Sequence, residues 1–250
     1  ATLEEAVSRL IDYQDIAYAE MYLQRLSGFA TGDQTLLVSV ARHLAVRMAW
    51  EDIYRVAQVK VRPERLARVL SETGAGPGDV VRVTEFFKPR LAEISDALPA
   101  GIGRWVQGYV ARKPGLATKS WPMLLQTTSV AGFLRLRILA GLRRLRRKSL
   151  RYGVETAQIE DWLDLIQRAS ASSHNVAVEV SESAGLIKGY GDTHGRGMRN
   201  YAAIIERLVR PAVDAGNIND ALATEIAAAR SAALADPEGR ALAEALSKAA

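Results

Sequence analysis

Apolar residues in this chain recur at three- and four-residue spacings almost from end to end. Leu3, Val7, Leu10, Ala17 and Met21 share one face of a helix predicted over residues 3–27, with Gly28 following as a stop. Asp33 is placed to cap a second helix carrying Leu37, Val40, Leu44 and Met48, and Pro63 opens another that ends near Gly74. After the glycine- and proline-rich loop 73–79, Asp79 is expected to cap a helix through Val80, Val83, Phe86 and Phe87, interrupted at Pro89. Ser120, Trp121 and Pro122 read as a cap with proline in the first turn, opening one long helix that reaches Tyr152. Ile159, Trp162, Leu163 and Ile166 mark a further helix, and Val176, Val180 and Ile187 the next. Residues 193–214 read as helical although Pro211 should end or kink them, and Asp236, Pro237 and Glu238 start a terminal helix. No alternating strand pattern exceeds four residues. The predicted fold is all-α, a multi-helix, bundle-like domain with a long basic helix. It is read as one domain over 1–250, with 1–118 and 119–250 as possible subdomains.

Charge sharpens this picture. The net charge is +5, yet residues 97–154 hold twelve lysines and arginines and no acid, so the remainder sums to −7. Within this stretch Leu134, Ile138, Leu142, Leu145, Ser149 and Tyr152 project as one packing stripe. Arg135, Arg137, Arg143, Arg144, Arg146, Arg147, Lys148 and Arg151 cover most of the remaining circumference. Such a face is either solvated, docked on an acidic protein, or bound to nucleic acid. Aromatic residues are not interleaved with these cations, and no nucleic-acid motif accompanies them. A membrane-surface helix would need a second anchor, which is not visible.

The sequence contains no cysteine, which excludes disulfides, cysteine-ligated clusters and a cysteine nucleophile, and fits a reducing, cytoplasmic setting. The three histidines show no zinc spacing, and no phosphate-cradling or hydrolase motif occurs. Asp12 with Asp15, and Asp161 with Asp164, are acid pairs at helical spacing that read as solvated faces. The densest constellation is the glycine corner 185–200. There Gly189 and Gly191 would end one helix, and Asp192 or Thr193 would cap the next. On that next helix His194, Met198, Tyr201, Ile205 and Leu208 share the packing face, while Arg196, Arg199, Asn200 and Arg207 lie opposite. Gly195 and Gly197 each cost about 0.5–1 kcal/mol relative to alanine inside a helix, a cost that points to a close neighbour. If the corner binds an anion, Lys188, Arg196 and Arg199 supply the charge, with Gly189, Gly191, Asp192 and His194 around them.

Four stretches resemble the C-terminal helical region of the beta subunit of indolepyruvate ferredoxin oxidoreductases: RLIDYQDIAYAEMYL (9–23), VVRVTEFFKPRLAEISDALPAGIGRW (80–105), AGLRRLRRKSLRY (140–152) and LIKGYGDTHGRGMRN (186–200). The last is the most specific, and the family's usual form has alanine where this chain has Gly195. The resemblance implies a complex that oxidatively decarboxylates arylpyruvates with coenzyme A and ferredoxin. Thiamine diphosphate and iron–sulfur clusters would sit on its alpha subunit. It implies no catalytic residue here, and it suggests that the chain is the C-terminal part of a longer subunit. The leading expectation is an accessory region whose surface of Arg135, Arg143, Arg144, Arg146, Arg147, Lys148 and Arg151 faces the alpha subunit or ferredoxin. The alternatives are a basic helical nucleic-acid-binding protein and a free-standing enzyme using Asp192 and His194.

Overall fold

A computed structural model describes every residue except Ala1, Thr31, Gly32, Pro77, Thr118, Tyr190 and Ala250, and gives the backbone alone at Thr2, Pro114, Ala117 and Ala249. The chain divides into two units, one made of residues 1–50 with 156–250 and the other of 51–155. A division near residue 118 does not describe it. The strand Met123–Gln126 pairs with Thr84–Phe87 and ties residues beyond 118 to those before it. The architecture is helical as expected, with this antiparallel pair the one sheet among the described residues.

In the first unit, the single helix expected over 3–27 is two, Thr2–Tyr13 and Ile16–Ser27. Asp15 makes the break: its backbone is extended, and its carboxylate accepts from Tyr18 N at 2.8 Å. The turn lets Tyr13 and Tyr18 both enter the core, their ring centroids 6.0 Å apart, and Tyr18 donates to the Met48 carbonyl at 2.9 Å. Asp33 caps Gln34–Arg47 as its position predicts. That helix packs against Thr2–Tyr13 and His174–Ser183, which in turn lies on Asp220–Ala235. Leu10, Val40, Leu44, Trp162, Ile166, Val176, Val180, Ile204 and Ile226 fill the space between them. Pro211 neither ends nor breaks its helix. The chain runs from Gly191–Ile204 through a π-helical turn, Ile205–Val209, into Arg210–Ala215, and the proline falls at the start of that last segment. Asp236 accepts from the amides of Glu238, Arg240 and Ala241, so the terminal helix begins at Arg240.

The second unit corrects two predicted helices. Residues 80–83 are not helical and 84–87 form a strand, so Asp79 caps nothing. Its carboxylate accepts from Gly76 N within its own turn. Downstream, Pro122 biases Trp121 away from helix. Trp121 N donates to the Pro89 carbonyl, and Met123–Gln126 follows as the partner strand. The long helix from Ser120 to Tyr152 is therefore a strand, the helix Val130–Gly141 capped by Ser129, and a 3-10 segment Leu142–Lys148. A four-residue apolar run cannot by itself distinguish strand from buried helix, which is why the pattern misled. The 3-10 segment stops at Ser149, whose extended backbone bridges Pro99, before the helix Leu150–Ser170 begins.

Val130–Gly141 packs on Ile53–Lys60. Ala57, Leu125, Leu136 and Ala140 form a small core there, with Val61, Phe87 and Leu139 against it. A Cβ at Gly132 would lie 2.0 Å from the Gln126 carbonyl oxygen, so only glycine lets this helix start so close to the strand end.

Candidate functional site

The face by which Val130–Gly141 packs is not the predicted one. Its inner side is Gly132, Leu136 and Ala140. Leu134 is 54% exposed and Ile138 58%, and Leu142 and Leu145 are exposed beyond them. Leu134 and Leu136 are two positions apart, which places them on opposite sides of a helix with 3.6 residues per turn. The projection chose one apolar ridge where the sequence carries two, and the buried one has the smaller side chains. The outer ridge of Val130, Leu134 and Ile138 is bracketed by Arg135 on one side and Arg137 on the other, all exposed. An apolar strip is thus left in water between cations along this outer side.

The cations assigned to the partner surface separate into two groups. Arg135, Arg144 and Lys148 are exposed and, with Arg137, form no ion pair among the described residues. Arg143 and Arg147 are half-buried. Arg146 does not belong on a partner surface. It is 1% exposed, and its Nε and Nη2 donate to the two Asp52 oxygens at 2.5 and 3.0 Å, with its guanidinium 5.9 Å from the centre of the Tyr54 ring. Asp52 also caps Ile53–Lys60 through Arg55 N, so one carboxylate fixes both the helix start and the 3-10 segment. Arg151 is likewise engaged, donating to Glu155 and to the Glu51 carbonyl.

At the glycine corner, His174–Ser183 passes into the 3-10 turn Ala184–Leu186 and then extended backbone at Ile187. Gly189 and Gly191 take φ of +73° and +58°, conformations that favour glycine. The next helix begins at Gly191, so Asp192 lies in its first turn instead of capping it. Its cap position, Tyr190, is outside the described residues. A Cβ at Gly197 would fall 2.2 Å from the Leu186 carbonyl oxygen, so backbone contact explains this glycine. A Cβ at Gly195 would meet only Arg199 Nη1, at 3.6 Å, leaving room for alanine.

Lys188 and Arg199 are exposed, and His194 is half-buried on the side that leads to buried Tyr201. Arg196 lies 3.5 Å from Glu238 and donates to Thr193 Oγ1. Asn200, expected on the outer side, is buried. Its Nδ2 donates to the Pro237 carbonyl, and Gly239, at φ +85°, packs against its Oδ1. The corner therefore locks the last helix to its neighbour.

Sequence reasoning missed Arg47 altogether. It ends the helix Gln34–Arg47, is 4% exposed, and lies 5.2 Å from the Trp162 ring centre and 5.5 Å from that of Tyr201. The available signal was its position, three residues after Leu44 on an otherwise apolar helical face. Of the acid pairs, Asp161 takes Arg210, Asp164 takes Arg168, and Asp15 is a cap. Among the described residues no three His, Asp or Glu side chains gather as a metal site, and no helix is long and apolar enough to cross a membrane.

The model of a family of unknown function, DUF6537, matches residues 1–207. No curated protein and no solved structure matches the chain.

Proposed function

The chain belongs to the DUF6537 family, and from the resemblance of its four stretches to the beta subunit of indolepyruvate ferredoxin oxidoreductases, taken with its exposed surface, we propose that it is a helical docking region of such a subunit. It is not catalytic alone. One observation supports docking: the ridge of Val130, Leu134 and Ile138, exposed between Arg135 and Arg137 and continued by Arg144 and Lys148. Its complement is an acidic surface with an apolar strip, on the alpha subunit or on ferredoxin. With no cysteine in the chain, clusters would be ligated by the partner, which would also hold the thiamine diphosphate. Sedimentation of this chain mixed with that alpha subunit tests the proposal. A complex that forms at low salt and loosens as salt rises supports it; two independent boundaries at low salt overturn it.

In the same reading, Lys188, Arg196 and Arg199 are the side chains that would meet coenzyme A phosphates or an arylpyruvate carboxylate at the corner. Titration of the assembled complex with each compound tests that version, and absence of heat ends it.

A second reading, nucleic-acid binding, gains from one feature. Trp105 and Tyr109 stand exposed with their rings near parallel, 6.2 Å between centres, and Lys113 lies 4.9 Å from the Tyr109 ring. Exposed aromatic faces beside cations can stack bases. A mobility-shift assay with single-stranded RNA and DNA at low salt decides it, and an unshifted probe removes it.

A further inference from the structure

Arg47 poses an electrostatic problem that its surroundings do not solve. It is 4% exposed, and apart from a contact with the Tyr201 hydroxyl its three guanidinium nitrogens have no hydrogen-bond partner among the described residues. Nor, among those residues, does a carboxylate pair with it. Asp161, whose charge reaches Tyr201, is already engaged by Arg210 at 2.9 Å. The Tyr201 hydroxyl is buried beside it, its oxygen turned to the guanidinium and its O–H left without an acceptor among the described residues. Burial pushes its phenol up, while the neighbouring Arg47 charge draws it down.

What does surround Arg47 is insufficient. The Trp162 and Tyr201 rings attract the cation, and the carbonyl end of its own helix favours a positive charge there. Neither supplies acceptors for five N–H donors set in a fixed planar fork. Removing an unpaired charge from water outweighs such contacts unless a counter-charge completes the site.

We propose that Arg47 anchors a buried oxyanion site in the first unit, taking the carboxylate or phosphate group of a small molecule between Trp162 and Tyr201. A planar fork fits either group through two parallel hydrogen bonds. The Tyr201 hydroxyl, a further donor on the helix that leads from the glycine corner, completes the set. The site is independent of the docking surface, because every residue in it lies in the other unit.

Thermal unfolding of the full chain tests this, with sodium pyruvate and sodium phosphate as probes against sodium chloride at matched ionic strength. Phosphate stabilises proteins generally by exclusion, without saturating, so saturation is the readout. The expected result is a saturable rise in Tm with at least one probe, lost in Arg47→Met and reduced in Arg47→Lys, which keeps the charge but not the fork. Pyruvate alone responding identifies a carboxylate ligand, and phosphate alone a phosphorylated one. If Arg47→Met does not fold, Arg47→Lys carries the comparison. No saturable shift with either probe, or one undiminished in both variants, overturns the proposal.

Discussion

Gly197 and Leu186 are in backbone contact: a Cβ on the glycine would come within 2.2 Å of the leucine carbonyl oxygen. The helix bearing His194 and Arg196 is thereby clamped against the chain that enters the corner. Gly197→Ala should force the two segments apart and destabilise the protein by about 1–3 kcal/mol, the usual range for overpacking. Gly195→Ala, with its nearest neighbour at 3.6 Å, should instead stabilise by roughly 0.5–1 kcal/mol through helix propensity. Denaturant unfolding of both variants checks the pair. Equal effects would mean that the contact at Leu186 is not what holds the corner.

Arg146 and Arg144 are two residues apart and should behave oppositely. Arg146→Ala strands Asp52 as a buried, unpaired carboxylate and should cost about 3–5 kcal/mol. Arg144→Ala, at an exposed position, should stay within about 0.5 kcal/mol of the parent. Because Asp52 also caps Ile53–Lys60, loss of helical circular dichroism should accompany the first change and not the second.

Acid should weaken the first unit through His43. Burial draws its imidazole below the ordinary histidine range, against the opposing pull of Glu182 at 3.3 Å. The unfolded chain therefore binds the His43 proton more readily. This contribution is complete above about pH 6.5 and is lost as pH falls toward the depressed folded value. Glu182 acts in the same direction at lower pH. Burial raises its carboxyl, but the Ser39 hydrogen bond and the His43 and Arg42 charges leave it below its usual value. Stability measured from pH 7.5 down to 5 should fall less steeply in His43→Gln than in the parent. Parallel curves would remove His43 as the cause.

How far the sequence foretold all this depended on whether local signals were unambiguous. Asp33 and Pro63 opened helices where cap chemistry placed them, and Gly74, left-handed, closed one. Asp15 was an equally good cap, overlooked because the apolar period runs straight through it. Residues 84–87 and 123–126 were misread because each strand is mostly exposed or half-buried, Leu125 apart, and becomes a strand only by meeting the other, a pairing no local pattern encodes. The candidate surface suffered the same ambiguity. Leu134 and Leu136 are alike in sequence, and the tertiary packing that brings Ala57 and Leu125 to this helix decides which one is covered. Arg146 and Arg47 were invisible for a related reason. A cation reads as solvent-facing until its partner, or its lack of one, is known.

The most direct test of the docking claim is the affinity of the full chain for the thiamine-diphosphate-bearing alpha subunit. It should be measured by calorimetry for the parent, for Arg135→Glu with Arg144→Glu, and for Leu134→Ser with Ile138→Ser. All four positions are exposed, so unfolding free energies should remain within about 0.5 kcal/mol of the parent. The account predicts that each double variant binds about tenfold more weakly or worse, and that the charge-reversed variant also loses the salt dependence. Undiminished affinity in both variants would contradict it.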